Sequence, residues 1–317
     1  IRRYPARIPA HFASLIKKPH DPAWLQAMPS ELELSGEGAD DPLCEEAQSP
    51  VPNLVHRYPD RVLFLVENRC AIYCRHCMRK RRTGLGRPVP PDVLENGIAY
   101  IAGNDAVREV VLSGGDPFMM EAGVLFSLLE RLYGIPHVKV VRIHTRVPCA
   151  DPEMVTPEMA DGLSRFSPLF VNIQFNHPVE LAPEARDAVR RLSAAGVQLG
   201  SQSVLLRGVN DDAETLAALF TGLLGMGVRP YCLHHPDPVA GTGHFSVPLK
   251  KGLELVASLR GRISGMAVPH YMLDVPGGFG KTALLPGSVE TVGEGEYRIR
   301  TFNGIWRTYR DRTCHGL

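Results

Sequence analysis

The chain is predicted to fold as an α/β protein built on a partial (β/α)6 barrel, and three observations predict it. Apolar, β-branched segments start near Val62, Glu109, Val138, Leu169, Val197 and Val228. After the first gap they recur at intervals of roughly 30 residues, the size of one βαβ unit. Helical patterns fill the spaces between them, and chemistry-bearing motifs follow the strands, at the end where parallel βα units place their sites. Six units imply a curved, parallel sheet that stops short of an eight-stranded closure.

The elements follow in order. Residues 1–54 are rich in proline and charge and read as an N-terminal arm of short helical and extended pieces packed on the main domain. Asp21 caps a short helix that starts at Pro22, and residues 29–32 start another. Residues 55–237 form the barrel core. The first gap is long because it holds a cysteine-bearing loop. Helices are expected over 91–101, 122–133, 157–166, 183–195 and 212–226, several opening with proline or an acidic residue, with Gly196 and Gly227 where helix ends favour glycine. Residues 238–317 break the repeat as a C-terminal extension. It holds a helix over 248–258, a strand over 268–275 and a hairpin around Asn303-Gly304.

A chain of 317 residues buries a large core. Its net charge of +1 gives no bulk electrostatic case for nucleic acid. No apolar run reaches the roughly 18 residues of a membrane span, and no secretory signal is visible. The chain starts at Ile1 rather than Met, which leaves room for a short missing leader. Seven cysteines, three of them clustered, point to a reducing, cytoplasmic setting and to metal chemistry rather than disulfides. Cys44, Cys149, Cys232 and Cys314 are isolated and read as packing residues.

The cluster is Cys70-Ala-Ile-Tyr-Cys74-Arg-His-Cys77. Soft thiolates bind iron and zinc. A structural zinc normally takes four protein ligands, whereas three clustered cysteines suit an iron–sulfur cubane with one iron left open to a small molecule. The alternative is a zinc knuckle completed by His76 or a distant residue. Gly114-Gly115 after the second strand is either a tight turn or bare backbone offered to a ligand. Gly280-Lys281-Thr282 lacks the earlier glycine of a phosphate loop, because Val275 stands there. Lys281 on a glycine-flanked loop is either a surface lysine or an amine able to form a Schiff base. Arg57, Tyr58 and Arg61 read as surface groups from sequence alone, although guanidinium suits phosphate. The basic run 79–82 gains a substrate or cofactor role from its place beside the cysteines. Asp237 and Asp274 lie near strand ends; taken singly they are turn or cap residues, but two acids converging on a cavity imply a cation to receive.

The cysteine spacing and its setting resemble the radical S-adenosylmethionine enzymes. From about residue 21 to 308 the chain resembles the lysine 2,3-aminomutase family more specifically. The matching stretches are His56-Arg-Tyr-Pro-Asp-Arg61, Cys74-Arg-His-Cys77, Leu112-Ser-Gly-Gly-Asp116, Phe175-Asn-His-Pro178, Gln202-Ser-Val-Leu-Leu-Arg-Gly-Val-Asn210 and Pro276-Gly-Gly-Phe-Gly-Lys281. The resemblance implies the partial barrel of that superfamily and an isomerase that converts L-lysine to β-lysine. It implies a 4Fe–4S cluster on Cys70, Cys74 and Cys77, S-adenosyl-L-methionine beside Gly114, Gly115, Asp116 and Gln202, and pyridoxal 5′-phosphate on Lys281 near Arg57, Tyr58 and Arg61. Arg79 would grip the substrate carboxylate, and Asp237 and Asp274 the side-chain ammonium, which favours lysine over glutamate. An electron donor such as flavodoxin or ferredoxin and a homo-oligomer are expected too. Gln174 stands where the family pattern usually has histidine. Leu233-His-His-Pro-Asp-Pro238 resembles the shorter branch that modifies elongation factor P, so arginine and protein-linked lysine are alternative substrates, and a zinc-binding module without catalysis is the alternative from another class.

Overall fold

The computed structural model describes residues 3–311 apart from 36, 37, 83, 85, 286 and 302. Cys314 lies outside the described residues. Nine strands form one sheet in sequential order. β1 (Leu54–Tyr58) and β2 (Arg61–Glu67) make an antiparallel hairpin. From β2 the sheet runs parallel through β3 (Glu109–Gly114), β4 (Val140–Thr145), β5 (Leu169–Gln174), β6 (Gln198–Val204), β7 (Arg229–His234) and β8 (His270–Val275). β9 (Gly280–Ala283) turns back antiparallel on β8. The α/β partial barrel is therefore present, with a seventh parallel strand added to the six expected. β8 continues the right-hand edge because a further helix crosses back to it.

Two short helices lie in the arm, α1 (Ala10–Leu15) and α2 (Pro22–Ala27). Asp21 caps α2, its Oδ1 accepting from the Trp24 amide at 2.8 Å. The crossovers are α3 (Pro91–Ala102), α4 (Ala122–Tyr133), the single turn α5 (Val147–Ala150) with α6 (Pro157–Ser164), α7 (Pro183–Ala194), α8 (Ala213–Gly225) and α9 (Leu249–Leu259). Each turns an apolar stripe inward. On α4 the stripe is Leu125, Leu128, Leu129 and Leu132, all buried at helical spacing. The strands read as continuous apolar runs, such as Val110-Val111-Leu112, because both sheet faces are covered.

Two tertiary ties hold the ends of the chain to this sheet. In the arm, buried Glu33 pairs with Arg75 and with Lys80, the latter at 2.8 Å, next to the cysteine loop. At the other end, β10 (Val289–Gly293), β11 (Glu296–Arg300) and β12 (Trp306–Arg310) form a separate antiparallel sheet. β11 and β12 are the hairpin expected around Asn303-Gly304. His235 joins this sheet to the barrel, its ring nitrogens 2.7 Å from the Tyr271 hydroxyl and 2.6 Å from that of Tyr309. Burial pushes His235 down to about 3, so it links them as a neutral ring.

Candidate active site

The carboxyl ends of β2 to β8 and the strand β9 enclose a cavity of about 470 Å³, and every site residue singled out from the sequence lines it. The parallel topology explains the convergence, because each strand delivers its last side chains to the same rim.

On one wall stand Cys70, Cys74 and Cys77, in the loop after β2, none of them in a disulfide and all partly exposed. Burial, then the neighbouring Cys77 and Asp116, push the Cys70 thiol far up. A bound cation would reverse that, since a metal stabilises thiolate directly. Arg146, after β4, already donates from Nη1 to Cys74 Sγ at 2.8 Å. Among the described residues no three His, Cys, Asp or Glu groups are arranged to clasp a single ion. His76 is turned to Asn176, 3.2 Å away, rather than grouped with the thiols.

Gly114 and Gly115 pack against the turn that leads into Cys70. Gly114 has φ +127°, and a Cβ there would fall 2.2 Å from the Glu67 carbonyl oxygen. A Cβ on Gly115 would fall 2.2 Å from that of Arg69. The glycines thus make a cradle that only bare backbone allows. Asp116 also lines the cavity. Its carboxylate accepts from Thr145 Oγ1 (2.7 Å) and from the amides of Phe118 (3.0 Å) and Arg146 (2.7 Å), so it braces the cradle against β4. Burial still raises it to about 6, against those bonds. Gln202 and Gln174 are register partners on β6 and β5 and both face the cavity.

Lys281 lines the same cavity. It lies on β9 rather than on a loop, in register with Asp274 of β8. Gly277, Gly278 and Gly280 all have positive φ, which lets four residues reverse the chain between those strands. The Lys281 amide donates to the Tyr58 hydroxyl at 2.6 Å, so Tyr58 fixes the strand that carries the amine. Arg61 lies over the Tyr58 ring at 5.2 Å and pairs with Asp60 at 2.9 Å. Arg57 also lines the cavity. It donates to Asp274 Oδ1 (3.0 Å), Gln48 Oε1 (2.6 Å) and the Leu43 carbonyl (2.6 Å), so each guanidinium nitrogen has a protein acceptor.

Asp237, just past β7, completes the acidic side. Burial first, and Asp274 second, push Asp237 up to about 7, while Lys281 and Arg79 oppose them. Burial likewise raises Asp274 against Lys281 and Arg57. Burial also keeps His144 and His234 neutral, assisted by nearby Lys281. Arg79 is held by Glu45, whose oxygens accept from Nη2 at 2.6 Å and from Nε at 3.0 Å. The rest of the basic run is turned to protein partners: Lys80 to Glu33, Arg81 to Asp41, Glu45 and Glu46, and Arg82 to Asn53 and Asn68.

Sequence reasoning missed Glu45, Gln48, Arg142 and Tyr231. Glu45 had a signal, the acidic stretch 40–46, which complements the basic run 79–82. Gln48 had none. Arg142 lines the cavity from β4 and pairs with Glu109 at 2.5 Å. Cys232, read as packing, is buried but also faces the cavity.

Comparison with known proteins shows the family. The family model for the Radical SAM superfamily matches residues 65–220, and that for Lysine-2,3-aminomutase matches residues 256–314. The chain is 42% identical to an L-lysine 2,3-aminomutase of Fusobacterium nucleatum, over 96% of this chain and 73% of that protein. It is also 42% identical to that of Clostridium subterminale, over 96% and 74%. A glutamate 2,3-aminomutase of Clostridioides difficile is 39% identical, over 90% and 68%.

Proposed function

The chain belongs to the lysine 2,3-aminomutase family of radical S-adenosylmethionine enzymes, and from that premise we propose that it moves the α-amino group of L-lysine to the β-carbon, giving β-lysine. It is an isomerase of the aminomutase class. Family membership alone does not choose the substrate, since a glutamate enzyme is nearly as similar. The observation that carries the choice is the pair Asp237 and Asp274 in one cavity with Lys281 and Arg79. Two carboxylates repel the side chain of glutamate and attract an ammonium.

The residues present fit the family's cofactors: three thiols, a glycine cradle beside the turn into Cys70, and an amine, all lining one cavity. When bound, the cluster with S-adenosylmethionine supplies a carbon radical, and pyridoxal phosphate supplies the carbonyl that carries the migrating nitrogen. The protein's part is to bind, orient and exclude water. Cys70, Cys74 and Cys77 would hold the cluster, with Arg146 stabilising the Cys74 thiolate. Gly114, Gly115 and Gln202 would contact S-adenosylmethionine. Lys281 would hold pyridoxal phosphate, Tyr58 would fix that lysine, and Arg61 would face the phosphate. Arg79 would take the substrate carboxylate through a guanidinium edge, while Asp237 and Asp274 hold the far ammonium. Ile72, Val204, Leu206 and Phe245 add apolar surface to the cavity lining, which helps to exclude water from a radical.

The test is anaerobic reconstitution with iron, sulfide and pyridoxal phosphate, then reduction in the presence of S-adenosylmethionine. Lysine, glutamate, arginine and lysyl-modified protein are offered in parallel. β-Lysine as the main product supports the reading; β-glutamate, β-arginine or product on protein alone overturns it.

A further inference from the structure

Two of the arginines that line the cavity, Arg57 and Arg79, act on Asp274 and Asp237, which raises a physical problem. A guanidinium prefers to take both oxygens of a carboxylate. If Arg57 and Arg79 did so with Asp274 and Asp237, both acids would be neutralised and no site for a substrate cation would remain. Arg57 meets Asp274 through a single contact, Nη1 to Oδ1 at 3.0 Å. Asp237 acts on Arg79 electrostatically, yet Arg79 forms its bidentate pair with Glu45.

The restraints come from one short piece of the arm. The Gln48 side chain accepts from Arg57 Nε at 2.6 Å and donates to the Gly278 carbonyl at 2.8 Å. The Leu43 carbonyl takes Arg57 Nη2 at 2.6 Å. Glu45 takes Arg79 Nε and Nη2, with its side chain only 4% exposed. The piece is itself anchored: the Gly277 amide donates to the Pro42 carbonyl at 2.8 Å, and the His56 amide to the Gln48 carbonyl at 2.9 Å. Arg81 bridges its acids, meeting Asp41 at 3.3 Å and Glu46 at 3.1 Å. Burial pulls the Glu45 carboxyl upward, but Arg79, Arg81 and Arg57 outweigh it, so Glu45 stays ionised.

We propose that residues 43–48 are a specificity element of the active site: by occupying Arg57 and Arg79 they hold Arg57 to a single contact with Asp274 and Arg79 on Glu45, and so leave the remaining carboxylate oxygens of Asp274 and Asp237 to select a cationic side chain. The inference rests on the substrate reading above. Gln48 and Glu45 act here as positioning residues, through the arginines they hold. Gln48 carries no charge, so its removal changes the arrangement and leaves the field almost unaltered. Released at Nε, Arg57 closes on both oxygens of Asp274 and competes with the incoming ammonium. Released from Glu45, Arg79 turns to Asp237.

The test compares binding of L-lysine with that of L-norleucine, which has the same α-carbon groups and nearly the same side-chain shape but no ammonium. Equilibrium dialysis on unreduced, cofactor-loaded protein gives both affinities without turnover. Effects on the carboxylate end, on the cofactor or on overall packing fall on both ligands and cancel in the ratio. In Gln48→Ala and Glu45→Gln the lysine preference is expected to fall about tenfold, equivalent to about 1.4 kcal/mol. Gln48→Glu keeps the acceptor for Arg57 but loses the bond to Gly278 and adds a negative charge; that charge does not favour norleucine, so the lysine preference should fall by less than about threefold, less than about 0.7 kcal/mol. Parallel weakening of both ligands, or no change in either variant, overturns the proposal. Wild-type protein without a lysine preference overturns the substrate reading itself, and this inference with it.

Discussion

Lysine binding should depend on pH in a way that norleucine binding does not. Asp237 is the group concerned. Burial and the neighbouring Asp274 raise it from 3.8 to about 7, with Glu45 adding to the rise and Lys281 and Arg79 opposing it. An ammonium binds well only to the ionised form, so below about pH 7 a proton must leave before the cation enters. The apparent dissociation constant then scales as one plus the ratio of protonated to ionised Asp237. That factor is about 1.1 at pH 8 and about 11 at pH 6, a roughly tenfold weakening. The lysine ammonium stays charged throughout, because its own pKa is near 10.4. Changes at the α-amino group are common to lysine and norleucine and drop out of the ratio. Dialysis of both ligands from pH 6 to 8.5 measures it, and Asp237→Asn should flatten the curve. A lysine-to-norleucine ratio constant over that range would refute the reasoning. The same shift has a stability consequence of definite sign. The folded state binds this proton more tightly than the unfolded chain, so ligand-free protein loses stability as pH rises from about 4 through about 7.

Other predictions bear on separate parts of the molecule. Cys70→Ala should abolish reductive cleavage of S-adenosylmethionine, read by release of 5′-deoxyadenosine; retained cleavage means the cluster ligands are wrong. In Lys281→Ala, borohydride should no longer fix pyridoxal phosphate to the chain, while iron content stays at the wild-type level. Gly115→Ala drives a Cβ to 2.2 Å from the Arg69 carbonyl, one residue before Cys70; overpacking of this kind costs about 1–3 kcal/mol and should lower iron retained per chain after reconstitution. Glu33→Gln leaves buried Arg75 and Lys80 without their shared counter-ion, all three side chains being at most 3% exposed. A loss of about 3–5 kcal/mol is expected, seen as a lower denaturation midpoint at unchanged slope.

The periodic part of this fold is written locally. Strand starts at Val62, Glu109, Leu169 and near Val197 follow from apolar runs, and the helices between them from a stripe such as Leu125, Leu128, Leu129 and Leu132 with proline at the first turn of α3, α6 and α7. Once the strands are known to be parallel, the convergence of Cys70, Gly114, Gln202 and Asp274 on one rim is forced by the direction of the chain. The chain therefore brought the motif residues singled out from it to one cavity. It did not determine what each one does there, because hydrogen-bond partners far apart in sequence carry no local signal. Arg57 reads like any phosphate-binding arginine until Asp274, 217 residues later, is seen to hold it. Asp116 reads like a ligand until Thr145 and the Arg146 amide occupy its carboxylate. Glu45 and Gln48 sit in an arm with almost no periodicity, and only the packing of that arm over the glycine turn brings them to the cavity. Composition and spacing fix which groups arrive at the rim; long-range pairing of buried charge, in a medium too poor in water to satisfy them otherwise, decides which of them remain for a ligand.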